Sequence, residues 1–202
     1  MRYDDNHKAE SKRKILRTAA REFRRHGTEQ VRIADVMEAA GMTHGGFYRH
    51  FAGKDELLVE SLAAALKETS GELQRLAGNG MPRSAALKRV IEHYLSEEHL
   101  EHPDSGCALA AVGTEIARLP KKHRLIVEQA LDNYADQLNN LMPGADEAER
   151  RSAFNILFPS MAGCLMTARA HVSPERSREL LAAGRQFFIG AFCGRETGRE
   201  GD

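Results

Sequence analysis

Apolar residues recur at spacings of three and four along most of this chain, and that spacing predicts amphipathic helices rather than strands. In the first of these segments, residues 11–26, the apolar stripe consists of Ile15, Leu16, Ala19, Ala20 and Phe23. Aromatic residues make up only 6% of the chain and tryptophan is absent, which agrees with helices because strands are enriched in aromatic side chains. The 202 residues are therefore predicted to be all-α, with almost no sheet.

Glycines separate the first three predicted helices. Gly27 is predicted to end the first, because glycine tolerates a positive φ, and Gly41 to end the second, 33–40. Thr43 is predicted to cap a third, shorter helix with its hydroxyl. Two short helices joined by a turn that contains glycine, behind a longer first helix, predict a helix-turn-helix, which can place one helix in the major groove of DNA. Such pairs also occur as plain structural elements, so a helical interaction module is an alternative.

Six more predicted helices follow the helix-turn-helix. They cover residues 54–77, 84–99, 106–119, 123–141, 147–170 and 175–192. The last one begins after Ser173 and Pro174, a capping serine followed by a proline at the first helical position. The predicted domains are a three-helix domain over 1–53 and a larger helical domain over 54–193. Residues 194–202 lack an apolar anchor and are predicted to be a flexible tail.

Basic residues are concentrated near the N-terminus, although the formal net charge is +0. Between residues 8 and 25 the basic side chains are Lys8, Lys12, Arg13, Lys14, Arg17, Arg21, Arg24 and Arg25, against only Glu10 and Glu22. Because the total charge is zero, a surface that binds a polyanion must come from an uneven distribution of the charged residues. The sequence therefore predicts a positive end on a neutral protein, although a solvated helix face explains the same charges.

Motifs of catalytic, cofactor and metal sites are absent from the sequence. The three cysteines lack metal-ligand spacing, and their odd number implies no disulfide framework. His99 and His102 stand among acidic residues and are interpreted as an exposed helix end rather than a metal site. The longest apolar stretch, 156–166, is shorter than the roughly 18–20 residues of a membrane span, and the N-terminus lacks a hydrophobic signal core. We expect a cytoplasmic protein without catalytic activity, cofactor, metal or membrane contact.

Several motifs follow one another between residues 15 and 58. They are IL-x-x-AA-x-x-F, Gly27, a short helix that ends in AAGM, Thr43-His-Gly-Gly-Phe-Tyr-Arg-His-Phe51 and Lys54-Asp-Glu-Leu-Leu58. In this order they resemble the DNA-binding domain of the TetR family. Arg32 departs from the threonine that the family often has at the start of the second helix, and Gly53 from the serine before Lys54. The resemblance implies a homodimeric transcriptional repressor that binds a palindromic operator in double-stranded DNA and is released by a small-molecule effector.

The resemblance also implies roles for the side chains of the third helix and the residues after it. Phe47 and Phe51 are expected in the interior of the motif. Tyr48, His50 and Lys54 are expected against the DNA backbone, where hydroxyl, imidazole and ammonium groups can donate to phosphate oxygens.

The leading turn of the third helix is expected to meet the edges of the bases. It consists of Thr43, His44, Gly45 and Gly46. Because glycine has no side chain to contact a base but lets the backbone approach the groove, hydrogen bonds to bases are expected from His44, with Arg49 or Arg32. These residues and the three backbone contacts are the candidate DNA-binding residues.

The last two long helices are predicted to form the dimer interface and to lie in the effector-binding and dimerisation domain. Each is apolar on more than one side, through Phe154, Leu157, Phe158, Met161, Leu165 and Met166 in one and Leu180, Leu181, Phe187, Phe188, Ala191 and Phe192 in the other. The core of their own domain explains part of this excess. The resemblance implies a four-helix interface between two copies, which can address two half-sites.

Pro159 is predicted to kink or locally open the helix that contains it, and such an opening leaves room for an effector cavity. Tight packing without a cavity is the alternative for each residue. The candidate effector-binding residues are Cys107, Leu109, Val112, Glu115, Ile116, Phe158 and Met161. A cationic or hydroxylated ligand, or solvent, is expected to satisfy the carboxylate of Glu115. Cys107 carries the alternative of a thiol-based redox-sensing regulator, because a helix start can depress the pKa of a thiol.

Overall fold

The chain is helical in the part that the computed structural model describes, residues 2–78 and 80–194. The helices are α1 (Arg2–Gln30), α2 (Ile33–Ala39), a 3-10 helix (His44–Arg49), α3 (Lys54–Ala77), α4 (Arg83–Tyr94), α5 (Glu97–Glu101), α6 (Ala108–Ile116), α7 (Lys121–Leu138), a short 3-10 helix (Asn139–Leu141), α8 (Glu147–Ala170) and α9 (Pro174–Cys193). These residues contain no strand, which confirms the all-α class. None of the described helices is both long enough and apolar enough to span a bilayer. Of the predicted tail, 195–202 lie outside the described residues.

Gly27 and Gly41 interrupt the helices where the sequence predicts. Gly27 has φ 73° and ψ 172° and breaks α1, and Gly41 has φ 66°. The backbone N of Gly41 donates to the carbonyl of Glu38, and that of Met42 to the carbonyl of Met37, both at 2.8 Å. These two bonds form a Schellman motif, which fixes the direction in which the chain leaves α2.

Two local predictions were wrong. The segment predicted as one helix over 84–99 forms α4 and α5, because Ser96 starts a new helix and its Oγ accepts a hydrogen bond of 3.1 Å from the backbone N of His99. Thr43 precedes the 3-10 helix, but its hydroxyl caps no backbone donor. At Pro159, α8 continues without ending, and the kink predicted there stays a prediction. Pro159 is exposed, so that the carbonyl it leaves without a helical donor can reach water.

The chain divides into two compact units, of which unit 1 comprises residues 1–68 and 103–132. In unit 1, α1 packs against α2 and α6, and α2 packs against the 3-10 helix. The apolar stripe predicted for α1 is buried there through Ile15, Ala19, Ala20 and Phe23. Burying a large apolar side chain stabilises a fold by about 1.5–3 kcal/mol, so this stripe holds the three N-terminal helices together. The domain boundary at residue 53 stays a prediction.

Unit 2 comprises residues 69–102 and those described from 133 onward. In it, α9 packs against α8 and α4. Gly184 permits this close approach, because a Cβ there would lie only 3.4 Å from Sγ of Cys164 and from Cδ1 of Leu95. Unit 2 also contains a cluster of aromatic rings, in which Phe154 and Phe158 stack on each other and the other pairs pack edge to face; its members are Tyr94, Tyr134, Phe154 and Phe158.

Candidate nucleic-acid interface

Two buried phenylalanines anchor the 3-10 helix in unit 1. Phe47 and Phe51 are 0% and 2% exposed, and their ring centroids lie 5.5 Å apart. The carbonyl of Phe47 accepts hydrogen bonds from the backbone N of His50 at 2.9 Å and of Phe51 at 3.1 Å. From α1, Nζ of Lys12 lies 5.2 Å from the centre of the Phe51 ring and 2.6 Å from the carboxylate of Glu60. The interior position predicted for both phenylalanines is confirmed.

The opposite side of the 3-10 helix is open. Its exposed residues include Thr43, His44, Gly45 and Arg49, whereas Gly46 is half-buried. Tyr48 is 65% exposed although it is aromatic, and its ring meets those of Phe47 and His44 edge to face, with centroids 5.2 and 6.1 Å apart. A Cβ at Gly45 would meet nothing within 4 Å, so no contact inside the protein requires glycine there. A phenol, an imidazole and a guanidinium are thus presented from one short segment.

Arg32 is engaged by a carboxylate of its own helix. Its Nε and Nη2 each lie 2.8 Å from one oxygen of Asp35. The hydrogen bond and the charge of Asp35 raise the pKa of Arg32, and the hydrogen bond from Arg32 lowers the pKa of Asp35. Arg32 provides no side-chain cap for α2, as its replacement of a threonine predicts. A base must therefore compete with Asp35 for this guanidinium.

His50 ends the 3-10 helix in a half-buried, positively charged setting. Burial, followed by the charges of Lys8, Lys12 and Arg49, lowers the pKa of His50. Its Nδ1 is buried and has no hydrogen-bond partner within the described residues. The sequence prediction missed Lys8 and Lys12 as neighbours of this histidine, although their spacing of four places them on one face of α1.

Lys54 is the first residue of α3 and is half-buried. Gly53 before it has no side chain that could cap the helix. Instead, Oε2 of Glu56 accepts a hydrogen bond of 2.5 Å from the backbone N of Ala52. The ammonium group of Lys54 therefore lies beside N–H groups at the start of α3, and residue 53 has no side chain to accept hydrogen bonds from them. Such a setting favours an anion.

Some basic side chains of α1 form ion pairs with carboxylates of α3 and of the segment before α6. Arg17 lies 3.1 Å from Glu68, and Arg21 lies 3.7 Å from Asp104. Nε of Arg24 donates to the backbone carbonyl of Asp104 at 2.8 Å. Burial lowers the pKa of Arg24, and the charge of Asp104 opposes that shift. The C-terminal part of the basic run is thus partly neutralised inside unit 1.

The candidate effector-binding residues are divided between the two units. Unit 1 contains Cys107, Leu109, Val112, Glu115 and Ile116, and unit 2 contains Phe158 and Met161. Oε2 of Glu115 accepts a hydrogen bond of 2.8 Å from the backbone N of Thr28, so this carboxylate already has a partner inside the protein. In unit 2, Phe158 packs against the rings of Tyr94 and Tyr134. The effector-binding roles stay predictions.

Cys107 is only 7% exposed, and burial disfavours the redox-sensing alternative because oxidants react with accessible thiolates.

Two pockets lie away from the candidate effector residues. One, of about 540 Å³ in unit 2, is lined by charged side chains such as Arg83 and Glu149 and by apolar ones such as Leu87 and Phe192. The other, of about 590 Å³ in unit 1, lies at the starts of α3 and α7. Among the described residues, no group of three or more histidine, cysteine, aspartate or glutamate side chains could hold a metal ion.

Comparison with known proteins identifies relatives of the helix-turn-helix. The family model described as bacterial regulatory proteins, tetR family, matches residues 15–60. The HTH-type transcriptional regulator TtgR of Pseudomonas putida is 39% identical over 66 residues, which are 33% of this chain and 31% of TtgR. The HTH-type transcriptional repressor KstR2 of Rhodococcus jostii is 26% identical over 88 residues, which are 44% of this chain and 43% of KstR2. The chain thus spans less than half the length of these two relatives.

The likeness of fold extends over most of the chain. The crystal structure of a TetR-family transcriptional regulator from Agrobacterium tumefaciens superposes with a TM-score of 0.70. The superposition covers 91% of this chain and 98% of that chain, at 18% sequence identity. At this identity the likeness concerns the arrangement of helices, beyond the N-terminal segment that the family model matches.

Proposed function

This chain belongs to the TetR family of bacterial regulatory proteins, and on that premise we propose that it is a DNA-binding transcriptional regulator. In the finer form of the proposal, a homodimer represses transcription from a palindromic operator until a small-molecule effector releases it. The observation that supports this best is the contrast between the open side chains of His44 and Tyr48 and the buried rings of Phe47 and Phe51 beneath them. A recognition turn held this firmly loses little conformational entropy when it enters a groove.

Each candidate side chain has a proposed place on the DNA. Tyr48, His50 and Lys54 donate to phosphates and set the position of the protein on the duplex, independently of sequence. His44 and Arg49 donate to base edges in the major groove and carry the specificity. Gly45 and Gly46 let the backbone of the turn approach the bases. Thr43 begins this turn, and Arg32 joins the interface when a base or phosphate replaces Asp35.

A second copy of this chain is the proposed partner of the outer face of α8 and α9. Ile156, Met166 and Phe187 are exposed on these helices, Phe187 to 68%. A Cβ at Gly163 or Gly190 would meet nothing within 4 Å, so a partner helix can approach closely. Covering each large apolar side chain would stabilise a dimer by up to about 1.5–3 kcal/mol. Two copies related by a twofold axis would present two recognition turns to the halves of a palindrome.

Effector release is proposed to act through α6, which packs on α1 in unit 1. Glu115 of α6 holds the backbone of Thr28, and Asp104, just before α6, holds Arg24 of α1. A displacement of α6 would therefore act on the C-terminal part of α1, and α2 packs against α1. KstR2 is a repressor by name, and its likeness to this chain supports repression as the direction of control.

Selection of fragments from a genomic library by the purified protein tests the proposed function. We expect enrichment of one palindrome by the wild type and by Leu125→Ala, which alters an exposed apolar side chain on α7. His44→Ala, which removes a proposed base contact, should abolish the enrichment. Bound fragments without a common palindrome would refute operator recognition and favour the helical interaction module. A compound that raises the melting temperature and lowers operator affinity would identify an effector.

A further inference from the structure

The pocket of about 590 Å³ in unit 1 lies where the starts of α3 and α7 meet. Its walls are residues 52–56 and three side chains of α7, Lys122, His123 and Ile126. Lys54, which is proposed to bind the DNA backbone, therefore shares a pocket with a lysine from outside the helix-turn-helix. The pocket is continuous with the proposed DNA interface.

The acidic side chains of this pocket have partners inside the protein. Oδ2 of Asp55 lies 3.6 Å from Nδ1 of His123, and Glu56 accepts a hydrogen bond from the backbone just before α3. Within the described part of the chain, neither Lys54 nor Lys122 has an ion-pair partner. Both ammonium groups are therefore available to an anionic ligand.

His123 positions Lys122 at the pocket. Its side chain is only 13% exposed and lies against Asp55 in the first turn of α3. Its Nδ1 is buried and has no hydrogen-bond partner among the residues described. This packing holds the start of α7 beside the start of α3, and Lys122 is the adjacent residue in the chain.

The first turn of α3 adds backbone donors. α3 is 24 residues long, so its dipole is fully developed at this end. Gly53 has no side chain to occupy the N–H groups of the first turn, which leaves them to an external acceptor. Two ammonium groups together with these N–H groups suit a tetrahedral oxyanion such as a phosphate.

We infer that this pocket receives a backbone phosphate of bound DNA, so that Lys122 of α7 extends the DNA interface beyond the helix-turn-helix. The inference rests on the proposed function, because DNA supplies the phosphate. A lysine that binds a phosphate responds to the charge of the backbone and not to the sequence. Lys122 therefore raises the affinity for every duplex equally.

The test measures binding of the full chain to a random-sequence duplex by fluorescence anisotropy between about 50 and about 200 mM salt. Lys122→Ala should reduce the steepness of log affinity against log salt by about 0.9. The ratio of wild-type affinity to Lys122→Ala affinity should therefore fall about 3.5-fold over this range. Lys121→Ala removes the same charge from the neighbouring residue, which does not line the pocket, and should keep the wild-type slope. Lys122→Arg should keep it as well.

Equal slopes for Lys122→Ala and Lys121→Ala would overturn the inference, and the proposed function would still stand if Lys54→Ala weakened binding. A wild type that binds no duplex would refute the proposed function and the inference together. A second measurement, of the melting temperature with inorganic phosphate, tests whether the pocket binds a free phosphate ion instead. If phosphate raised the melting temperature of the wild type but not of Lys122→Ala, while the DNA slopes stayed equal, the pocket would belong to a small phosphate ligand and its assignment to DNA would be wrong.

Discussion

Glu115 of α6 accepts a hydrogen bond of 2.8 Å from the backbone N of Thr28, the residue that follows the break in α1 at Gly27. A backbone N–H after such a break has lost its helical acceptor. The carboxylate supplies one from a residue 87 positions later in the chain. This bond therefore ties the end of the first helix to the helix that carries most of the candidate effector residues.

Replacement of Glu115 by alanine should lower the free energy of unfolding by about 1.5 kcal/mol, because it leaves a partly buried N–H without its charged acceptor. Urea denaturation followed by circular dichroism measures this. Glu115→Gln, which keeps an acceptor oxygen, should lower the free energy of unfolding by less. Thr114→Ala changes the exposed neighbour and is the matched control. Equal stability of Glu115→Ala and Thr114→Ala would show that the bond contributes nothing.

Gly27→Ala should destabilise the protein by about 1–3 kcal/mol, because a φ of 73° with a ψ of 172° lies in a region that only glycine occupies readily. Space is not the cause, since a Cβ there would meet Oε1 of Glu115 at an ordinary 3.5 Å. Gly71→Ala provides the contrast, because Gly71 lies inside α3 with nothing within 4 Å of its Cβ. That change should stabilise by about 0.5–1 kcal/mol in the same denaturation experiment. A Gly27→Ala variant as stable as the wild type would contradict the strain argument.

The helices were predictable from sequence where their ends depend on local chemistry. Asp146 and Ser173 cap α8 and α9 through their own side chains, and both helices begin within one residue of the predicted position. The division between α4 and α5 was missed because the apolar spacing continues across Ser96, and only the hydrogen bond of its hydroxyl starts a second helix.

The contacts around the candidate site were predictable only in part. The pairing of Arg32 with Asp35 follows from a spacing of three and could have been recognised in the sequence. The partner of Arg24 could not, because Asp104 lies 80 positions away and approaches only when α6 packs on α1. Periodicity identifies which face of a helix is buried but not which distant residue covers it.

The affinity for DNA should rise as the pH falls, through His50. Burial and nearby positive charges lower the pKa of His50 in the free protein, below its ordinary value of about 6.5. A phosphate against the ring would favour the charged form, so binding takes up a proton between the pKa in the complex and the lower pKa of the free protein. Anisotropy titrations at constant ionic strength measure this. His50→Gln does not titrate and should remove that part of the pH dependence.

The same histidine should make the free protein less stable in acid. Its pKa is lower in the folded protein than in the unfolded chain, so the unfolded chain binds more protons as the pH falls below about 6.5. The free energy of unfolding should therefore decrease over that window and decrease less for His50→Gln. Identical pH profiles of the wild type and His50→Gln, in both binding and unfolding, would contradict the buried position of this ring.

Tyr48→Phe should weaken binding to operator and random duplexes alike, because it removes only the proposed hydroxyl donor to phosphate. A hydrogen bond to a charged acceptor contributes about 1.5 kcal/mol, which corresponds to about tenfold in affinity. The folded protein should be unaffected, since the ring of Tyr48 is 65% exposed. A loss confined to the operator would instead assign the hydroxyl to a base.

Phe187→Glu should convert the proposed dimer into a monomer. In a free subunit the side chain of Phe187 is 68% exposed, so a carboxylate there is hydrated and the fold is retained. In a dimer built on the outer face of α8 and α9, the same carboxylate would be buried without a partner, which costs several kcal/mol per subunit. Leu125→Glu is the matched control, because Leu125 is 51% exposed on α7 and is not part of that face.

Size-exclusion chromatography with light scattering should give a dimer for the wild type and Leu125→Glu and a monomer for Phe187→Glu. Because a single recognition turn binds weakly, the monomer should also lose operator affinity while its helical content stays unchanged. A dimer that persists in Phe187→Glu would place the interface elsewhere.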